Sequence, residues 1–528
     1  MANLSRRAAY GVGLLTGFVA LSGFRPDDPD STGLFRFEPG HDVEAFDGLG
    51  GRVRVHFTRT GPDAVSLVDT DDGGVPDSVE QVAAAYEEVL AFFAAQRFRE
   101  PVSDLDNPLG DGGNDRLDVY LVDFAGQSDG AFVRDRCEAT TSICSGYVAQ
   151  ENDFAGYGYP SFRVASRILA SHELFHVIQA AYDADQGANW SEATAVWASE
   201  HFDPSLTDFE YFVRGWFDKP DRSIDQEPIG PVDGFSYGLA IFAQYLSERF
   251  GDDIIREHWE DLEDGARGVA DPKWLPALIA LLEREHETTF GDAWVEFAEW
   301  VIRSGQGQVE DSFENAVSYP RVAREIVSFP FEDDRLRVYR ASFQVWAGGP
   351  AGRAEMKAAL ASEDPTGLDE LTLILAARRG AVVTSVQAVT AEGEGVLEAS
   401  LSVAGADEVI VVVASSAVSG QSRRPGLCIG DGAEVAACIA ARLPVEPGPE
   451  VVEVEPEAEV DPEPEPDVAD VGGADSAESD GVESAPAKGD ADGCGLAGGA
   501  APWVGLVLAY VAWRRRTTKN SSIFEASR

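Results

Sequence analysis

The chain has 528 residues, 44% of them hydrophobic, which is enough to bury more than one core. Its 92 acidic against 41 basic residues give a formal net charge of −51. That balance argues against a nucleic-acid partner, whose phosphates would be repelled, and suits a soluble surface protein that meets cations such as calcium.

Residues 1–23 read as a secretory signal: Arg6 and Arg7 form the charged start, residues 8–21 the apolar core, and Ala20-Leu21-Ser22 a small-x-small cleavage site. An uncleaved anchor is the other reading. The region from 24 to about 160 reads as β-rich with one helix. Arg52, Arg54 and His56 alternate with Val53, Val55 and Phe57, so His56 reads as a strand residue rather than a ligand. An acidic loop follows at residues 69–80. On the pattern of an EF-hand calcium loop, Asp69, Asp71, Gly74, Asp77 and Glu80 take the first, third, sixth, ninth and twelfth places. Gly73 stands where another oxygen ligand belongs. Two readings stand: calcium held by Asp69, Asp71, Asp77 and Glu80, or an acidic turn capping the helix expected over 79–93. A second acidic loop spans 104–118, and LDVYLVDF at 117–124 is a buried strand. Cys137 and Cys144 are spaced for a hairpin disulfide in an exported chain. Residues 145–149 form a further short strand.

Residues 171–200 carry the chemistry. His172-Glu173-Leu174-Phe175-His176 is a full H-E-x-x-H on an expected helix, with no Gly or Pro over 163–186. Histidines four apart share one helix face and can reach one Zn²⁺, with Glu173 as general base to a zinc-activated water. A third ligand is needed. Gln179 and Tyr182 stand where a metzincin has its glycine and third histidine, so that class is out. Asp183 and Asp185 come too soon after His176 to fold back. Glu192 lies sixteen positions past His176 on a second helix opened by Asn189 and Trp190. In this the stretch resembles the gluzincins, the thermolysin-like and aminopeptidase-like zinc peptidases. The resemblance implies that Glu192 is the third ligand. It also implies that the strand at 145–149 is the sheet edge that pairs with substrate, although an internal strand reads the same. Glu200, two turns beyond Glu192, is either a partner to a zinc histidine or exposed. By the same resemblance Tyr237, directly before Gly238, steadies the oxyanion; a packing tyrosine is the alternative.

The chain reads as largely helical to about 302. Short β runs at 337–339, 342–346, 371–375, 382–386 and 409–413 then suggest a small sandwich. Cys428 and Cys438 make a second candidate pair. Residues 446–492 are rich in Pro, Glu and Asp and read as a self-repelling, disordered tether. The tail at 493–528 holds Cys494, an apolar stretch over 496–513 and Arg514-Arg515-Arg516. At 1.5 Å per residue that stretch reaches roughly 27 Å, about the depth of a bilayer core. The tail resembles the C-terminal sorting tails of myxobacterial surface proteins, which implies processing or lipid attachment at Cys494. Residues 52–260 likewise resemble exported metalloproteases of myxobacteria and relatives, through FTRTGPDAV, VDTDDGGVPD, HELFH, WSEATAVWASE and FSYGLAIFAQYL.

These readings predict an α+β zincin-like metallopeptidase domain over 24–324, an all-β sandwich over 325–445, the acidic tether, and a transmembrane C-terminal anchor. The expected function is an exported, cell-surface zinc peptidase acting on protein or peptide substrates. The alternative is a surface binding or adhesion protein whose zinc site is structural.

Overall fold

A mixed five-stranded sheet opens the fold: β1 (Val43–Asp47), β2 (Val53–Thr58), β3 (Leu117–Val122), β4 (Gly130–Cys137) and β5 (Cys144–Glu151), in the order β1-β2-β3-β5-β4. The structure is a computed structural model that describes residues 25–442 apart from 29–30, 32–34, 109, 306–310 and 392–394. The expected signal, tether, Cys494 and anchor lie outside those residues. Among the described residues no helix is long and apolar enough to cross a membrane.

β2, β3 and β5 run parallel, while β1 and β4 pair antiparallel with their neighbours. The crossover from β2 to β3 carries α1 (Asp77–Ala95), whose buried stripe includes Val82, Tyr86, Val89 and Phe93. β5 lies between β3 and β4, so the internal reading of residues 145–149 holds and the edge reading is overturned. The edge strand is β4. A short hairpin closed by the Cys137–Cys144 disulfide turns β4 outward and returns β5 to pair with β3.

The acidic loop at 104–118 is organised around a cation from the start of the described chain. Arg25 is buried and ion-pairs with Asp104, Asp118 and, at 2.8 Å, Asp135. Asp118 also holds His56 through Nε2 at 2.7 Å, and the imidazole stacks on Tyr120. His56 is thus a satisfied strand residue, and one guanidinium offsets several carboxylates that burial would otherwise penalise.

Two long helices follow, α2 (Phe162–Ala180) and α3 (Ala188–Phe202), and then shorter ones. These are α4 (Phe209–Phe212), α5 (Arg214–Phe217), α6 (Gly234–Gly238), α7 (Ala240–Phe250), α8 (Asp253–Asp261), α9 (Trp274–Glu285) and α10 (Phe290–Arg303). The stretch expected as one helix from Phe235 onward is two, α6 and α7, broken at Leu239. The break follows close packing: a Cβ on Gly238 would lie 2.2 Å from the Trp216 nitrogen.

The last strands form two sheets. One has the order β11 (Val382–Thr390), β10 (Leu371–Arg379), β13 (Glu408–Ser415), β8 (Ser342–Gly348), β6 (Glu325–Ile326). The other runs β12 (Val396–Ser402), β9 (Glu355–Ala361), β14 (Gly426–Gly430), β7 (Phe331–Asp333). Residues 337–339, expected as a strand, make only an isolated bridge from Val338 to Arg423. The Cys428–Cys438 disulfide ties β14 to α11 (Gly432–Ala440).

Alternation along the central strands explains why they are apolar at every position. Leu371, Leu373, Val409, Val411 and Val413 face the second sheet, with Met356, Leu360 and Leu427. Ile374, Ala376, Ile410 and Val412 face the other way and share a core with the helices. There Phe343 packs against Trp216 and Trp294 with ring centroids 5.2 and 5.4 Å away.

Arg25→Met should cost about 3–5 kcal/mol of stability, because buried carboxylates lose their counter-ion. Urea unfolding monitored by tryptophan fluorescence measures it; a loss below about 1 kcal/mol would mean the cluster is solvated or protonated.

Candidate functional site

α2 is buried along almost its whole length, wedged between α1, α3 and the strands β4 and β5. Ser161 caps its start by accepting from the Val164 amide. Ser171 and Ser199 bond hydroxyl to hydroxyl at 3.0 Å, and such small side chains let α2 and α3 lie close. Polar groups on so buried a helix are costly unless something engages them. This helix carries His172, Glu173, His176 and Gln179, all buried.

The first three ligand candidates converge. His172 Nε2 and His176 Nε2 are 3.2 Å apart, and Glu192 Oε2 lies 3.3 Å from the first and 3.5 Å from the second. Three donors about 2.0–2.1 Å from a tetrahedral zinc stand about 3.3–3.4 Å from one another. The triangle therefore has the dimensions of the base of a zinc tetrahedron, and two imidazoles with a carboxylate are a donor set that zinc takes. Burial opposes charge on His176 and Glu192, yet their mutual attraction wins: the histidine's pKa is raised and the carboxylate's lowered.

Gln179 sets the orientation of His176. Its amide nitrogen donates to the Ser191 carbonyl at 2.8 Å and to Thr194 Oγ1 at 2.9 Å. A carbonyl can only accept, so the other end of the amide, Oε1, is the atom facing His176 Nδ1 at 2.8 Å. Nδ1 therefore carries a proton, and Nε2 is the nitrogen turned toward His172 and Glu192. The same glutamine ties this histidine to the turn that presents Glu192.

Glu173 is fully buried, and neither of its carboxylate oxygens has a hydrogen-bond partner among the described residues. Burial raises its pKa, which the two histidines pull back. It faces the edge strand: a Cβ on Gly130 would lie 2.9 Å from Glu173 Oε1 and 2.4 Å from Leu169 Cδ1. Only glycine lets β4 pass so near. Asp129, one residue earlier and also buried, accepts from the Tyr159 hydroxyl. Its charge acts on both His172 and Glu173. Tyr237 on α6 is buried with its ring 6.2 Å from that of His172. Ser236 beside it donates to Asn189 Oδ1 at 2.7 Å, locking α6 to the start of α3.

Other expected site residues lie elsewhere. The loop at 69–80 does not bring Asp69, Asp71, Asp77 and Glu80 together as a ligand group. Asp69 accepts from the Gly73 and Gly74 amides, Asp71 from Gly73, and Asp77 from the amide and hydroxyl of Thr70. Asp69, Asp71 and Asp77 are thus engaged within the loop itself, the arrangement of an acidic turn before α1. Asp183 groups with Asp264 and Asp271, and Asp185 pairs with Arg134 at 2.6 Å. Glu200 is buried rather than exposed, with Glu210, Asp208, Glu248 and Asp203 as its charged neighbours. The histidine partner is Gln179. Sequence reasoning missed Gln179, Asp129 and Gly130; the signal for Gln179 was its place one turn past His176 on the same face.

No family model and no curated protein matches the chain. Among solved structures it is similar to the pre-peptidase C-terminal domain of a collagenase from Bacillus anthracis. That match has 9% identity and a TM-score of 0.16, and covers 20% of this chain and 93% of that one. A second similar structure is BtGH115A, a family GH115 4-O-methyl-α-glucuronidase with specificity for decorated arabinogalactans. Here identity is 10% and the TM-score 0.15, covering 51% of this chain and 39% of that one. At these scores neither likeness bears on fold or function.

Burial, then the acidic neighbours, push Glu200 up to about 8. A carboxyl ionises near 4.3 in an unfolded chain, at about pH 4–5, so the folded state holds a proton there that the unfolded state has released. This destabilisation grows as pH rises from about 4 to 8. Glu200→Gln should therefore raise Tm more at pH 8 than at pH 5; equal shifts at the two pH values would contradict the assignment.

Proposed function

We propose that this chain is an exported, surface-anchored zinc peptidase of gluzincin type, with a zincin-like catalytic domain, in which His172, His176 and Glu192 hold the metal. The observation that carries this reading is the triangle of 3.2, 3.3 and 3.5 Å, buried beside a fully buried carboxylate that lacks a partner among the described residues. A structural site has no use for Glu173 there. Export and anchoring rest on residues 1–23 and 493–528 of the sequence.

Zinc held at such a site supplies a Lewis acid that polarises a carbonyl and acidifies water. The chain's own groups do the rest. Gln179 fixes His176 with Nε2 turned toward His172 and Glu192. Glu173 accepts a proton from the attacking water on a carboxylate oxygen. It returns that proton to the amine nitrogen as the peptide C–N bond breaks. Burial raises the pKa of Glu173, which favours its taking up the water's proton. The Tyr237 hydroxyl donates to the oxygen on which charge develops. β4, an edge strand among the described residues, is the strand on which an extended peptide would pair, and Gly130 brings that edge close to Glu173.

Glu173→Gln should keep stoichiometric zinc and lose about 10²–10⁴-fold in peptide cleavage, since an amide cannot take the water's proton. Glu192→Gln should lose zinc and activity together, since a neutral amide is a poorer donor than a carboxylate. Metal analysis paired with cleavage of a peptide library separates the two. Zinc-replete wild type that cleaves nothing would sink the peptidase reading.

A further inference from the structure

Next to α2 lies a cavity of 220 Å³ whose lining includes Tyr159, Ile168, Leu206, Asp208, Tyr211 and Phe212. Ile168 stands one helical turn before His172 on the same face of α2. Phe212 packs on Tyr237 at 5.5 Å, and Tyr237 in turn lies 6.2 Å from His172. Asp208 is near enough to His172 for their charges to interact. The cavity's lining thus neighbours Tyr237 and His172, two of the groups assigned to the reaction. A cavity of about 150 Å³ accepts a benzene, so this one has room for a single long side chain.

Its chemistry is uneven. The walls are aliphatic and aromatic, and the one charged lining residue is Asp208. Asp208 Oδ1 is buried with no hydrogen-bond partner among the described residues. A buried carboxylate oxygen is costly to leave unmatched, and a ligand that brings a cation removes that penalty. Aromatic faces around it favour a cation further. Local charge allows one. Glu210 adds its negative charge near Asp208. The chain's net charge of −51 also draws cationic partners in.

We propose that this cavity is a specificity pocket for an alkylammonium or guanidinium group, a lysine or arginine side chain of the substrate whose charged tip meets Asp208. The proposal rests on the peptidase reading for its reaction, and on the pocket alone for its binding.

The test uses the purified full chain supplied with zinc. Acetylated, amidated peptides, and an unblocked set beside them, carry lysine, arginine, citrulline, norleucine or glutamate at one scanned position. At the position that enters the pocket, lysine or arginine should exceed citrulline and norleucine about 10–100-fold in kcat/KM, the usual worth of a hydrogen bond to a charged group. Asp208→Asn should collapse the lysine-to-norleucine ratio, and Asp208→Lys should turn the preference toward glutamate; either variant suffices if the other fails to fold. Equal use of lysine and norleucine, or a ratio that survives both substitutions, overturns the proposal. A preference seen only with unblocked peptides assigns the cation to a free α-ammonium instead of a side chain. If no peptide is cleaved, the peptidase reading fails and binding decides the pocket. A dye-labelled lysine peptide should then bind at least about tenfold tighter than its norleucine twin, and Asp208→Asn should erase the difference. Equal affinities would overturn it.

Discussion

Everything at the site depends on holding one carboxylate of α3 against two imidazoles of α2 where all three are buried. Three such groups do not share a buried corner by default, because each loses hydration. Close helix packing makes it feasible. Ser171 against Ser199 sets the approach of the two helices, and Gln179 spans them from His176 to the Ser191 carbonyl. The Asn189 side chain fixes the start of α3 to the Ile224 and Gln226 carbonyls and to Ser236. The element bearing Tyr237 is thereby tied to the one bearing Glu192.

The rest of the fold keeps that corner rigid. The mixed sheet backs α2 on one side, and its edge strand narrows to Gly130 where Glu173 needs room. On the far side, the central strands β8, β10 and β13 are buried on both faces. One face packs on the other sheet, and the other joins Trp216, Trp294 and Phe297 in the helical core. A single hydrophobic cluster therefore runs from α2 to β13, so the strands after residue 325 brace the helices as well as each other.

Much of this was legible in the sequence where one physical rule dominated. An uninterrupted run without Gly or Pro marked the helix that became Phe162–Ala180, and H-E-x-x-H spacing placed its histidines on one face. Both disulfides followed from short spacing in a chain read as exported. What stayed hidden depends on long-range neighbours. Glu200 reads as a polar helix residue, and only the fold surrounds it with Glu210, Asp208 and Glu248. The acidic loop at 69–80 has calcium-like spacing, but where its carboxylates point is set by backbone turns that composition does not encode. The edge position of β4 follows from strand order, which local alternation in GAFVRDRC cannot reveal. Arg25 illustrates the same limit, since its partners lie 79 to 110 residues away.

X-ray absorption at the zinc edge, on purified chain with its metal content measured, tests the metal centre most directly. One zinc per chain should show a shell of nitrogen and oxygen at about 2.0–2.1 Å, with the outer scattering of two imidazoles and no sulfur. Loss of that imidazole signal in His172→Ala should accompany loss of the metal. A six-oxygen shell, a sulfur ligand, or zinc that stays bound in the absence of His172 would contradict a site built on His172, His176 and Glu192.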